Sequence, residues 1–174
     1  ILQKAVVKEL ERGKTSVKAE IEVGGKVEKH KFDTVISAVG IVGNTEGLGL
    51  EALGVTVDRT HVVTDEFCRT GVEGVFAIGD IAGAPWLAHK ASHEGSMVAE
   101  LIAGKNKVHP IKPGSIAGCT YCHPQVASVG MTEAKAKEAG YKIKVGRFPF
   151  IGNGKAIALG EAEGMVKTIF DEKT

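Results

Sequence analysis

Apolar and polar positions alternate with a period of two through much of the first 32 residues. Residues 5–10, 15–23 and 26–32 alternate or are β-branched. The turn signals Arg12-Gly13 and Gly24-Gly25 separate them, so the pattern predicts a meander of three short strands. The run Thr34-Val35-Ile36-Ser37-Ala38-Val39-Gly40 is apolar and β-rich without clean alternation, which predicts a strand covered on both faces. Residues 43–54, with their glycines and leucines, predict a loop with a short helical turn. Residues 55–63 predict an extended pair around Asp58-Arg59, and residues 75–78 a second buried strand. The period then changes. Leu87, Ala91, Met97, Val98, Leu101 and Ile102 recur near helical spacing and Gly104 supplies a stop, so one long helix is expected over residues 87–102.

Pro110 and Pro113 fall in a segment, residues 105–118, that separates this helix from a different pattern, and a domain boundary is expected there. Beyond it, residues 125–130 read as extended. Residues 132–139 read as a short helix capped by Thr132 and closed by Gly140, and residues 141–150 and 164–170 as strands, an α+β arrangement.

Composition changes this picture little. With 43% hydrophobic and 25% charged residues, the 174-residue chain is of ordinary globular type, and its net charge of +1 gives no electrostatic ground for a nucleic-acid or anionic-membrane partner. No apolar run reaches the roughly 20 residues that span a bilayer. Ile1-Leu2-Gln3-Lys4 has neither an initiator Met nor a signal-peptide pattern, and the chain stops directly after the strand-like run over residues 165–170. Both ends therefore read as cuts through a longer fold. Three cysteines cannot complete a disulfide framework, which favours a reducing compartment.

The chemistry concentrates where Val75-Phe76-Ala77-Ile78 runs into Gly79-Asp80. At the carboxyl edge of a sheet, where ligands collect in α/β folds, an ionised Asp accepts hydrogen bonds from a polyol and a Gly lets the backbone approach closely. A plain turn has the same sequence. The helix that follows within nine residues offers free amides and a positive dipole end to an electron-rich group such as a reduced flavin. Ala88, Ala91, Ser92, Gly95 and Ala99 make one face of that helix small, which suits a large ligand or tight helix packing equally.

Taken together, the motifs resemble a known family. Val35-Ile36-Ser37-Ala38-Val39-Gly40, Leu48-Gly49-Leu50-Glu51-Ala52-Leu53-Gly54-Val55, Phe76-Ala77-Ile78-Gly79-Asp80, Leu87-Ala88-His89-Lys90-Ala91 and Glu94-Gly95 are similar in order and spacing to the dihydrolipoamide dehydrogenases among the flavin disulfide reductases. The similarity continues through Gln125-Val126-Ala127-Ser128-Val129-Gly130-Met131-Thr132-Glu133 and Gly146-Arg147-Phe148-Pro149-Phe150 to Gly164-Met165-Val166-Lys167, and so covers essentially the whole chain.

The resemblance implies an α/β fold, the remnant of tandem FAD- and NAD-binding Rossmann-like domains followed by the start of an α+β dimer-interface domain. Residues 1–40 would end the NAD-binding domain, residues 41–111 would form the later part of the FAD-binding domain, and residues 112–174 would open the dimerisation domain. It implies that Asp80, with Gly79 beside it, holds the ribityl chain of FAD, that the Trp86, Leu87, Ala88 and His89 segment contacts the flavin ring through its backbone, and that Gly40 lies against NAD. The family usually has Gly-Arg-Xaa-Pro where this chain has Gly40-Ile41-Val42-Gly43, so that Arg and Pro are absent, a departure that bears on any NAD contact of that Arg and leaves the flavin assignment untouched. The family's Gly-rich nucleotide motifs, its Cys-x4-Cys redox disulfide and its His-Glu acid/base pair fall outside these residues, so no catalytic residue is expected here and the chain alone should be inactive. A homodimer, a lipoyl-bearing acyltransferase of a 2-oxo-acid dehydrogenase complex as partner, and a bacterial cytoplasmic or mitochondrial-matrix setting are likewise implied. A glutathione or mercuric reductase, or a non-catalytic interaction module descended from such an enzyme, are the competing readings, and the wording over residues 87–95 favours the lipoamide enzyme.

Other signals compete less well. Cys119-Thr120-Tyr121-Cys122-His123 spells the covalent haem attachment pattern, but strand-like flanks, Pro124 and the family match running through it argue for ordinary structure, and a second pair of zinc ligands is lacking. His89 and His93 have the i, i+4 spacing of metal ligands, and Lys90 and Glu94 the spacing of a helical ion pair. Trp86 reads as core or rim packing, His30, His61 and His109 as solvated, and Glu133-Ala134-Lys135-Ala136-Lys137-Glu138 as a solvated helix face.

Overall fold

A computed structural model describes residues 1–112 and 114–174. Pro113, part of the expected domain boundary, lies outside the described residues. The chain mixes strands and helices, an α/β composition, and divides into two units, Ile1–Ile41 and Val42–Thr174.

The first unit is built on the expected meander. Strands β1 (Val6–Arg12), β2 (Val17–Val23) and β3 (Lys26–Phe32) pair antiparallel in the order β1-β2-β3, with one bulge between Val7 and Glu9. Gly24 and Gly25, at φ of 58° and 81°, make the β2–β3 turn that side chains resist. Opposite charges face each other across the strands, with Lys18 3.1 Å from Glu11 and Lys29 2.8 Å from Glu20. Glu20 raises the Lys29 ammonium above its ordinary pKa, first through the hydrogen bond and then through its charge. His30 is half-buried and stacks on Phe32 at 5.9 Å rather than being solvated, because the pleat turns both rings to one face.

The expected strand over residues 34–40 does not form. Its residues are extended coil, with Ile36 85% and Val39 96% exposed. An apolar run becomes a strand only when neighbours take its backbone groups, and no strand among the described residues pairs with it.

In the second unit, β4 (Val57–Asp58) and β5 (His61–Val62) form the expected extended pair, turning at Arg59 with φ of 56°. The second predicted strand, residues 75–78, is also not a strand. One isolated bridge joins Phe76 to Arg69, and the amide of Ala77 donates to Cys68 O at 3.0 Å. Among the described residues it pairs on one edge, with a loop that Asp65 ties off by accepting the Phe67 and Arg69 amides at 2.9 Å each, so regular pleating is not enforced.

Helix α1 (Ala88–Ile102) matches the expected helix within one residue and ends at Gly104, whose φ is 70°. Next come β6 (Gly118–Thr120) and β7 (Val126–Ser128), paired antiparallel. Helix α2 (Glu133–Glu138) follows, with the Thr132 hydroxyl accepting from the Lys135 amide at 3.3 Å as its cap. Strands β8 (Ile143–Pro149) and β9 (Met165–Asp171) pair over their full length. Between them, where no sequence signal marks an element, a short 3-10 turn (Phe150–Gly152) and α3 (Gly154–Ala158), capped by Asn153 on the Ala156 amide, fill the connection. The charged α2 face is not merely solvated. Glu133 binds Arg147 at 3.0 Å and Lys167 at 3.1 Å, which ties α2 to β8 and β9 and holds its carboxyl below the ordinary range, the Lys167 hydrogen bond first.

Buried side chains are few. Val55, Val62, Cys68, Met97 and Ala136 are the buried apolar residues of this unit, with Thr45, Thr70, Lys90 and Glu94 the buried polar ones.

Candidate functional site

The extended segment ending at Ile78 enters a 3-10 turn, Gly79–Ala82, at Gly79, which has φ of 74°. This left-handed backbone disfavours any residue with a Cβ, and a Cβ here would also press to 3.3 Å from the Ala91 side chain. Gly79 is buried, whereas Asp80, in the first turn, is exposed to solvent. The Asp80 carbonyl accepts the Gly83 amide at 3.1 Å and closes the turn. Nothing in the hydrogen bonding of the described residues consumes the Asp80 carboxylate.

Helix α1 lies against this turn. Its N-cap is Leu87, which has no side chain able to cap, so its first amides lack both an intrahelical carbonyl and a capping oxygen. Two turns on, a Cβ at Gly95 would meet Ile78 at 3.4 Å. The small face of the helix, Ala91 and Gly95 in particular, therefore packs on the Ile78-Gly79 segment.

Two residues bind the helix to the turn, and their burial was not legible from spacing alone. Lys90 is 6% and Glu94 8% exposed. Their charges meet at 2.9 Å; Lys90 Nζ donates to Gly79 O at 3.3 Å and Gly83 O at 3.1 Å, and Glu94 Oε2 accepts the Gly79 amide at 2.7 Å.

Trp86, just before the helix, is 41% exposed and stacks on the half-buried His61 at 5.9 Å, an arrangement that corrects the expectation of a solvated His61. His61 Nδ1 lies 3.3 Å from the Thr60 hydroxyl. Leu87, Ala88 and His89 open the helix, and the His89 ring turns to a different neighbour. Its Nε2 sits 2.7 Å from Ala117 O, so this nitrogen carries the hydrogen. His89, His93 and His109 line a groove of about 610 Å³ along α1, with Glu100 and Lys112 at its rim. Among the described residues no three His, Cys, Asp or Glu side chains are grouped to hold a metal ion. Gly40, exposed with φ of 110°, belongs to the first unit.

Gly43 has its own structural reason. Its amide donates to Thr60 Oγ1 at 3.2 Å, and a Cβ would run into the Thr60 carbonyl oxygen.

Cys68 lies buried in the same neighbourhood, and burial, then the Glu94 charge, pushes its thiol up from 9.0 to about 11, with Lys90 opposing. The folded chain thus keeps a proton that the unfolded chain releases, so the stability this thiol contributes is present at neutral pH and declines as the pH rises from 9.0 through about 11. At pH 8, iodoacetamide should label exposed Cys122 and leave Cys68 largely unmodified, read by peptide mass spectrometry; equal labelling would contradict the assigned environment.

These features define a class. Residues 1–95 match the pyridine nucleotide-disulphide oxidoreductases and residues 116–174 match the dimerisation domain of the same group, and the chain belongs to that family. Within it the chain is similar to dihydrolipoyl dehydrogenases. Identity is 59% to that of Rhizobium etli over 100% of this chain and 36% of the relative, and 53% to that of Zymomonas mobilis over 98% and 37%. The crystal structure of LpdA from Mycobacterium tuberculosis superposes with a TM-score of 0.85 at 25% identity, over 98% of this chain and 36% of that one. RclA of Escherichia coli, an HOCl-induced flavoprotein disulfide reductase, shares the fold with a TM-score of 0.84 at 24% identity, over 97% and 38%. The resemblance read from the motifs thus holds along the whole chain, which spans little more than a third of the length of the curated relatives it matches. The CxxCH motif falls inside the stretch matching the dimerisation domain. Among the described residues no helix is long and apolar enough to cross a membrane.

Proposed function

We propose that this chain is part of a flavoenzyme that oxidises protein-bound dihydrolipoamide to lipoamide and reduces NAD, and that its contribution is to hold FAD. The observation carrying this reading is the uncapped N-terminus of α1 fixed against a turn that presents an exposed Asp80. FAD, when bound, supplies the two-electron relay between a dithiol and NAD.

The residues present fit the group. Asp80 accepts hydrogen bonds from ribityl hydroxyls, and the Cβ-free Gly79 lets the chain turn beneath them. Trp86, Leu87, Ala88 and His89 present backbone at the helix start, where free amides and the dipole stabilise negative charge on an electron-rich ring. Gly40 faces NAD. In this reading residues 1–40 close the NAD-binding domain, residues 41–111 belong to the FAD-binding domain, and residues 112–174 open the dimerisation domain of a homodimer. The exposed apolar row at Ile36 and Val39 is then covered by strands elsewhere in the longer polypeptide. A lipoyl-bearing acyltransferase of a 2-oxo-acid dehydrogenase complex is the protein partner, in a bacterial cytoplasm.

The full-length flavoprotein, given dihydrolipoamide and NAD, should yield NADH, and should turn over glutathione disulfide with NADPH or mercuric ion far more slowly. Preference for either of those would overturn the substrate assignment. The isolated 174-residue chain should show no dihydrolipoamide oxidation, since redox thiols and the acid/base pair lie outside it; turnover by the isolated chain would contradict that division of labour.

A further inference from the structure

Lys90 and Glu94 are the two buried charged residues among those described. Stability does not account for burying them, because desolvation offsets most of what a buried ion pair returns and apolar residues of similar volume often serve as well. Their contacts are specific instead. Gly79 is buried, so its N–H and carbonyl need partners, and this pair supplies both, through Glu94 at 2.7 Å and Lys90 at 3.3 Å. Lys90 also holds the far end of the same turn at Gly83 O, 3.1 Å away. The two side chains rise from the first two turns of α1 and meet each other at 2.9 Å, so their hydrogen bonds to Gly79 and Gly83 fix the turn bearing Asp80 to the helix terminus.

Resting on the reading that this turn and terminus hold FAD, we infer that Lys90 and Glu94 are a positioning pair, which sets the Asp80 carboxylate in register with the amides at the start of α1. Neither touches the cofactor. An apolar pair of the same bulk would preserve packing and release the turn. A Gln at 94 beside an apolar residue at 90 would keep an acceptor for the Gly79 amide without a buried charge.

The test uses the full-length flavoprotein and measures FAD dissociation together with melting of the apoprotein. K90M/E94L should still melt cooperatively, below the parent because the Gly79 and Gly83 groups lose their partners, and lose FAD roughly tenfold faster. K90M/E94Q, which keeps the contact to the Gly79 amide, should lose it more slowly than K90M/E94L. Equal FAD loss in the two double variants overturns the positioning role. D80A separates this from the underlying reading: if it releases FAD while both double variants retain it, only the positioning role fails, and if all three retain it, the FAD reading fails as well. Should K90M/E94L not fold, Glu94→Asp, which keeps the charge and draws the carboxylate back by one methylene, carries the test. Faster FAD loss then supports the pair and parental loss overturns it.

Discussion

Lys90→Met alone should destabilise the fold by about 3–5 kcal/mol, the cost typical of removing one partner from a buried ion pair. Glu94 would stay buried with its Oε1 unpaired, and the Gly79 and Gly83 carbonyls would lose their donor at once. The share of this cost that comes from the uncompensated Glu94 charge should vanish in K90M/E94L, while the Gly79 and Gly83 groups stay without partners there. The check is the urea midpoint of the apoprotein at fixed pH: K90M well below both the parent and the double variant. A K90M midpoint equal to the parental one would show that Lys90 is not held in this environment.

Gly43→Ala should be the next most damaging small change, at roughly 1–3 kcal/mol, the range for forcing extra volume into a tight site. Its backbone conformation is open to any residue, so the damage is steric. The added methyl meets the Thr60 carbonyl, which is main chain and cannot rotate aside. Gly43→Pro should be worse, because it also removes the amide that donates to Thr60 Oγ1. Gly118→Ala is the control, since a Cβ there meets open space, and should change stability by less than about 0.5 kcal/mol. Parallel unfolding curves for Gly43→Ala and Gly118→Ala would refute the close approach at Thr60.

Elements that satisfy their own hydrogen bonds locally were legible in the sequence. The meander follows from alternation and two turn signals, α1 from its spacing and Gly104, and α2 from Thr132 and Gly140. The two apolar runs at residues 34–40 and 75–78 were read as strands from composition. Pairing is a property of neighbours that composition does not contain, and the runs stay unpaired or half-paired. Within the site, Gly79 and Asp80 announced themselves by residue type. Lys90 and Glu94 showed only an i, i+4 spacing that surface pairs share, and what turned them inward is a buried glycine amide fifteen residues upstream of Glu94. His61 and Gly43 were invisible for the same reason, since their partners, Trp86 and Thr60, are chosen by the fold of loops.

Whether the turn at Gly79-Asp80 holds FAD, as proposed, is read most directly from the flavin content of the full-length protein after gel filtration. Asp80 is exposed and its carboxylate supports no contact among the described residues, so Asp80→Ala should fold as the parent does. This variant should elute folded but depleted of flavin, with FAD affinity lowered at least roughly tenfold, as expected for a lost charge-assisted hydrogen bond. A folded Asp80→Ala protein that retains the parental flavin-to-protein ratio would contradict the proposal.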